Sequence, residues 1–331
     1  MAITTATDWK VYQDEYQAAY AERVAQSLNV LVTKGNGAII IQDDNIPGQY
    51  IKESFFKMPS GLVSRRVATG TGSTSAVTPV TVSQGENVDV RLSRKIGPVD
   101  VTFDSLRKTG ITPETFSMWL GGMMAEARMQ QMLNDALRGC RAAVNKTATM
   151  YDKSALTVKT LSRAALSSGL GKLGDSREEV VAWVTHSKSY GDLVAEAITP
   201  TAGAESIIQG VALYGAAPPS LGRPVFVTDS AALVDDVTVD KYYTLGLVPG
   251  AIRIRVDGQL SAPVIQQVTG LENLCLRIQA EADWFLGIKG YAYDFATGGA
   301  NPDDTALAVT TNWDLAATSY KHSAGIVVKS T

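Results

Sequence analysis

The sequence predicts an α+β fold organised around one long helix and one long strand. Three observations lead there. From Thr112 to about Asn145, apolar residues recur every three or four positions, the spacing of one helix face. From Leu274 to Ile288 they occupy every second position, through Leu276, Ile278, Ala280, Ala282, Trp284 and Leu286, the spacing of a strand with one buried side. At about 1.5 Å per helical residue and about 3.3 Å per strand residue, each element would reach about 50 Å. Ahead of the helix, roughly 50 residues alternate Gly, Ser and Thr punctuation with short runs, which a compact core does not use unless the excursion meets a partner.

Taken in order, residues 1–47 form an N-terminal arm. Within it Trp9, Tyr12, Tyr16, Tyr20, Val24, Leu28 and Leu31 step by three and four, which predicts an amphipathic helix with an aromatic stripe. That stripe packs either on its own domain or on a partner subunit. Residues 48–103 form an extended β-hairpin or loop. Its strand portions are Val88–Leu92 and Val99–Phe103, whose apolar residues alternate with Asp89, Arg91, Asp100 and Thr102. The stretch ATGTGSTSAVTP, residues 68–79, has almost nothing large to bury.

Residues 104–154 carry the long helix, with Thr112 as N-cap, Pro113 at the first helical position and Glu114 at the positive end of the dipole. Phe116, Leu120, Met123, Ala127, Leu133, Leu137, Cys140 and Val144 are its expected buried face. The methionines Met123, Met124, Met129 and Met132 offer an adaptable packing surface. Residues 155–265 read as an α/β unit, with helices at LSRAALSSGLGKLGD and KSYGDLVAEAI and strands at VVAWVTH and GRPVFVTDS. YYTLGLVPGAIRIRV reads as a pair of strands about Pro249 and Gly250. Residues 266–331 hold the long strand and a tail of short ones.

A chain of 331 residues with 45% hydrophobic and 19% charged residues is large enough for a real core, so a disulfide-stapled miniature is excluded. With 30 basic against 33 acidic residues it lacks the charge of a histone-like nucleic-acid binder. The charges are unevenly placed. Residues 1–49 have three basic against six acidic, whereas residues 50–110 have nine against five, an asymmetry that suits head-to-tail contact between copies as well as two merely solvated faces. Cys140 and Cys275 have no CxxC partner, so a reduced folding compartment is expected. There is neither a signal-peptide pattern nor an apolar stretch of about 18 residues, so no membrane association is expected.

Catalytic chemistry has little to work with. Gly169, Gly171 and Gly174 satisfy G-x-G-x-x-G but end a helical pattern instead of following a strand, and read as a cap and turn. His186 follows the strand VVAWVT, where α/β sites often lie, and reads equally as a loop residue before a helix-initiating Ser187. The acidic pairs Asp43-Asp44, Glu178-Glu179, Asp235-Asp236 and Asp303-Asp304 lack the alternating ligand spacing of a calcium loop. No catalytic, cofactor-binding or metal-binding residue is expected.

The order of parts, including the segments VVAWVTHSKSYGDLV and GRPVFVTDS, resembles tailed-bacteriophage major capsid proteins of the Hong Kong 97-type fold over nearly the whole chain. The resemblance implies a peripheral domain built from the spine helix and long strand, an axial domain near residues 155–265, and an extended loop lying over a neighbouring subunit. It implies self-assembly through hexamers and pentamers into an icosahedral shell. That shell would enclose double-stranded DNA held without sequence specificity and would form in the host cytoplasm. Arg65, Arg66, Arg91, Arg94 and Lys95 are then candidates for intersubunit ion pairs, together with Trp9, Tyr12 and Tyr16 of the arm. Family members that carry a cleaved scaffolding segment have it at the N-terminus. Here the arm starts almost at Met1, so a separate scaffolding protein or none is expected, beside portal and decoration proteins. An encapsulin-like compartment shares the fold and is the nearest rival; a soluble α/β enzyme or ligand-binding protein using Val180–Ala195 is the alternative of another class.

Overall fold

The computed structural model describes residues 37–43, 47–66, 68, 70, 76–110, 112–198, 221–235, 239–256, 264–269 and 272–331. The aromatic helix expected at 8–31, with Trp9, Tyr12 and Tyr16, lies outside the described residues. Two sheets and one long helix make the body. An eight-stranded sheet has the order β1 (Ile39–Asp43), β9 (Ile252–Val256), β11 (Cys275–Ile288), β3 (Gln84–Thr102), β12 (Tyr291–Tyr293), β13 (Trp313–Leu315). In addition β10 (Val264–Val268) pairs with β11, and β2 (Tyr50–Phe56) pairs with β3. A six-stranded sheet has the order β4 (Met150–Asp152), β14 (Gly325–Ser330), β8 (Lys241–Leu247), β5 (Ala182–Thr185), β6 (Val225–Val227), with β7 (Val234–Asp235) on β8. The helices are α1 (Phe103–Thr109), α2 (Pro113–Val144), α3 (Arg163–Leu170), α4 (Ser187–Ile198), α5 (Phe295–Gly298) and α6 (Asp304–Ala308).

The long helix is α2. Thr112 caps it by accepting from the Thr115 amide at 3.4 Å, and satisfies an amide that the first turn would otherwise leave unpaired. Of its expected buried face, Leu120, Leu137, Cys140 and Val144 are buried, and the difference lies in the two turns after Leu120. Met123 and Ala127 are exposed, whereas Met124 and Arg128 are buried in line with Leu120, Met132 and Ala136. Positions 120, 124, 128, 132 and 136 form a single four-residue ridge that carries the buried Arg128 among apolar side chains. Where α2 crosses the sheet, Gly139 permits a close approach: a Cβ there would lie 2.9 Å from Leu286 and 3.1 Å from the Trp313 ring.

Strand β11 has the expected period two, with Leu276, Ile278, Ala280, Ala282 and Trp284 buried. Its partner β3 corrects the reading of residues 84–103 as two short half-buried strands in an arm. It is one strand of 19 residues that lies inside the sheet, paired with β11 from Val90 to Thr102. Between the two expected strand portions lies the Gly97-Pro98 pair. Gly97 takes φ +89°, close enough to the Ile278 carbonyl that a Cβ would lie 2.9 Å away, and the ladder shifts register there and continues.

Strands β8 and β9 also differ from expectation. They flank the Pro249-Gly250 turn but belong to different sheets, so the turn is a crossover and not a hairpin. The patterns explain the separation. β8 is buried along Thr244–Leu247 and suits the interior of a sheet, whereas IRIRV alternates buried Ile252, Ile254 and Val256 with Arg253 and Arg255. One continuous core joins the two sheets through Leu137, Cys140 and Val144 of α2, and a small second cluster of Leu120, Met124, Ala125, Leu276 and Ile278 sits at the far end of the helix.

Candidate functional site

Two buried charge clusters hold the extended parts onto this body. On the face of the eight-stranded sheet that carries the arginines, Asp89 of β3 is 1% exposed and reaches across β11 towards β9. Gly287 makes the passage, since a side chain there would overlap the Asp89 carboxylate. Arg253 donates to Glu53 of β2 at 2.8 Å and lies 3.4 Å from Asp89; Arg255 donates to the other Glu53 oxygen and lies 3.6 Å from Asp89. Burial pushes the Asp89 carboxyl up, and the two arginines offset this only in part. Burial acts upward on Glu53 as well, but hydrogen bonds from Arg253 and Arg255 outweigh it and hold that carboxyl below its usual range. Thus β2, the first strand of the hairpin, is tied to a strand on the opposite side of β11.

The second cluster ties β3 and α6 to α2. Asp135 of α2 is fully buried, accepts from Gln131 Nε2 at 2.9 Å, and lies 3.3 Å from Arg94 Nε and 4.0 Å from Arg138. Asp304 pairs with Arg138 at 2.5 Å and lies 3.9 Å from Arg94. Burial dominates at Asp135 and pushes its carboxyl up to about 6 despite the two guanidinium groups. Sequence reasoning assigned none of Glu53, Asp89, Asp135, Arg138, Arg253 and Arg255 a role. The alternations VDVRL and IRIRV do place Asp89 with Arg91 and Arg253 with Arg255 on single strand faces, but nothing local says that the two faces meet.

Of the candidates for contact between copies, Arg91 pairs with Asp283 and donates to the Gly48 carbonyl, while Arg94 is engaged with Asp135, Asp304 and the Pro302 carbonyl. These two arginines are therefore spent inside the chain. Arg65, Arg66 and Lys95 are exposed. Ser187 begins α4 as expected and His186 precedes it: the His186 Nδ1 accepts from the Lys188 amide at 3.2 Å, and its ring lies 5.1 Å from that of Tyr242. Gly169 ends α3 against Ile326 and Val328, and Gly174 turns the chain at φ +61°. Cys140 and Cys275 are free and buried, and burial pushes the Cys140 thiol up to about 12.

Large apolar side chains lie open at several points, and in two places they are grouped. Phe56, in the last β2–β3 pair, and Met58, Leu62, Val63, Val77 and Val82 on the hairpin legs beyond it are exposed, with Val63 at 94%. At the start of α2, Met118, Trp119 and Met123 are about half exposed beside a cleft of about 650 Å³. Leu106 of α1 and Phe116 and Trp119 of α2 wall this cleft, with the hydroxyls of Thr102, Ser105 and Thr109 among its lining. Patches of this kind mark contact surfaces more often than ligand chemistry.

No helix among the described residues is long and apolar enough to cross a membrane. No curated protein matches the chain. Similar folds occur in solved phage structures. One from Mycobacterium phage Bobi is 10% identical with a TM-score of 0.51, over 89% of this chain and 90% of that one. One from Mycobacterium phage Cain is 10% identical with a TM-score of 0.51, over 88% of each. The acid-stable capsid of Helicobacter pylori bacteriophage KHP30 is 8% identical with a TM-score of 0.50, again over 88% of each. At such identities the likeness is one of fold. The family model of the major capsid protein 13-like (Gp13-like) proteins matches residues 8–327, nearly the whole chain. The chain therefore belongs to that family: it is a tailed-phage major capsid protein, a structural component of the virion shell and not an enzyme.

Proposed function

We propose that this subunit assembles in the Hong Kong 97-type manner, through hexamers and pentamers, into an icosahedral shell around double-stranded DNA. In this reading the extended loop expected within residues 48–103 is the hairpin ahead of the pairing of β3 with β11, α2 and β11 are the centre of a peripheral domain, residues 155–265 the axial domain, and residues 1–47 an arm that carries Trp9, Tyr12 and Tyr16 to a neighbour. The observation that carries it is the hairpin. Phe56, Met58, Leu62 and Val63 are held out from a body that does not cover them, a costly exposure in water unless another copy removes it. Arg65, Arg66 and Lys95 are available for ion pairs to that copy, each modest and multiplied by the copy number of a shell. Arg91 and Arg94 contribute by fixing β3 within their own chain. Assembly takes place in the host cytoplasm with a separate scaffolding protein or none, portal and decoration proteins completing the particle.

The test is to express the chain alone and examine it by negative-stain electron microscopy and sedimentation. Closed shells, tubes or rings of five or six support the reading. A homogeneous monomer or dimer that persists on co-expression with the scaffolding partner removes it.

A further inference from the structure

Strand β3 serves two parts of the chain. From Val90 to Thr102 it pairs with β11, whereas Gln84–Asp89 pair with β2 and form the base of the hairpin. Past this point β11 runs on to Ile288 with β9 as its partner, and the base meets the sheet at one further position, Val88 against Ala292 of β12. The base is thus a two-stranded ribbon that leaves β11 at Asp89. Several of its contacts are slight. The Met58 amide donates to the Thr318 hydroxyl at 3.2 Å in an exposed bond, and the rings of Tyr50 and Phe295 meet tilted at 5.0 Å. Lys52 and Glu86, 3.3 Å apart and about half exposed, join the two strands of the ribbon to each other and not to the body.

The charges at its root are different. Glu53 and Asp89 belong to the ribbon, Arg253 and Arg255 to β9. Glu53 takes the close contacts, one guanidinium on each oxygen, and leaves Asp89 with the same two partners at 3.4 and 3.6 Å. Among the described residues, Asp89 Oδ2 and Arg255 Nε are buried without a hydrogen bond. A buried carboxylate with spare acceptor capacity therefore sits beside the two guanidinium groups that hold the hairpin. Arg91, on the same strand face as Asp89, is already paired with Asp283.

We propose that Glu53, Asp89, Arg253 and Arg255 form a two-position clasp that sets the inclination of the hairpin to the body. Closed, as in this structure, Glu53 bridges both guanidinium groups. Open, Glu53 passes into water, Arg253 and Arg255 close on Asp89, and the ribbon turns about Asp89 and Val90 with its β2–β3 pairing intact. Asp89 makes the opening reversible. Without it, release of Glu53 would leave two partly buried guanidinium groups with no counter-charge; with it, one charge is neutralised and both groups keep an acceptor. The Glu53 side chain is already 40% exposed, so its way into solvent is short. The clasp belongs to one chain, stands apart from the shell reading and is tested without particles.

The experiment measures the direction of the hairpin in full-length chains kept as free subunits. Spin labels on Val63→Cys and Val309→Cys report a hairpin leg against the body, since both positions are exposed and the native Cys140 and Cys275 are buried. Double electron–electron resonance should give a single distance with the native clasp and a second, populated distance with Glu53→Gln. Asp89→Asn removes the fallback partner and should keep the single distance, as should Glu86→Gln, which breaks the ion pair inside the ribbon. Hydrogen exchange of residues 50–56 in Glu53→Gln should stay within about twofold of wild type, because the ribbon turns as a unit. An unchanged distance in Glu53→Gln overturns the clasp, as does a second distance that appears equally in Asp89→Asn or Glu86→Gln. Several-fold faster exchange in β2 overturns it as well, since the strand would then be peeling from β3. If Asp89→Asn does not fold, Glu53→Gln against Glu86→Gln decides by the same criteria.

Discussion

The six-stranded sheet and the first third of α2 treat large side chains in opposite ways. In the sheet, Trp183 is 1% exposed and lies over a glycine: a Cβ on Gly246 would come 2.7 Å from its ring and 2.9 Å from Ile326. On α2, Trp119 is 58% exposed beside an open cleft. The same residue type is thus a keystone of the subunit in one place and free surface in the other. The difference separates two requirements. Folding of one chain depends on the closed region, and association of many chains depends on the open ones, so the two can be damaged independently.

Three substitutions and one titration probe that separation, beginning with the closed region. Trp183→Ala removes a fully buried ring with no neighbour placed to fill the void, and should cost about 3–5 kcal/mol. The measurements are soluble yield and urea unfolding of the free subunit; a loss below about 1 kcal/mol would show that the sheet is not the keystone. Gly246→Ala places a methyl against Trp183 and Ile326 and should cost about 1–3 kcal/mol by overpacking. Neither substitution touches the hairpin or the cleft, so chains that do fold should still assemble.

The cluster around Asp135 lies between the two regions, and its signature is a pH dependence. The folded carboxyl titrates near 6, above the ordinary value of 3.8, so between these values the folded state holds a proton that the unfolded state has released. Its contribution to stability is therefore fully present below about pH 4 and is lost as pH rises through about 6. Asp89, also raised, acts in the same sense, whereas Glu53 acts in the opposite one. The contribution of Asp135 is isolated by comparing wild type with Asp135→Asn. The wild type should gain about 1 kcal/mol per pH unit relative to the variant from about pH 6 to about pH 4. Parallel curves would mean that the arginines around Asp135 fully compensate its burial.

What was legible in the sequence follows the range of each interaction. The ends of α2 were legible because Thr112 and Pro113 act within one turn, and β11 because its period is intrinsic to the strand. The continuity of β3 was not, because Gly97-Pro98 is a turn signal locally and becomes a bulge only when β11 supplies a partner, some 180 residues further along. The Pro249-Gly250 turn reads as a hairpin for the same reason: a turn specifies a reversal, and only distant strands decide which sheets its two sides join. Burial of Asp89 was invisible because its partner Arg253 lies more than 150 residues away, and that of Asp135 because Arg94, which pairs with it, comes from a strand some 40 residues earlier; an isolated aspartate in an alternating strand or on a helix reads as solvated. The candidate arginines had the opposite problem. A basic segment was visible, but which members were already paired within the chain depended on Asp283, Asp135 and Asp304.

The sharpest test of the separation has the smallest effect on the subunit. Val63 is 94% exposed on a hairpin leg. Val63→Asp replaces it with a charge that water solvates freely, so the stability of the free subunit should stay within about 0.5 kcal/mol of wild type. In a shell the same carboxylate would have to leave water for an apolar contact, with Arg65 and Arg66 the nearest cations in sequence, and the desolvation of a charge outweighs the modest gain from one valine. Sedimentation of the variant should therefore show folded subunits that fail to close into particles. Wild-type assembly by the variant would place Val63 on the outside of the contact. Loss of folding would show that the hairpin legs, despite their exposure, belong to the closed region.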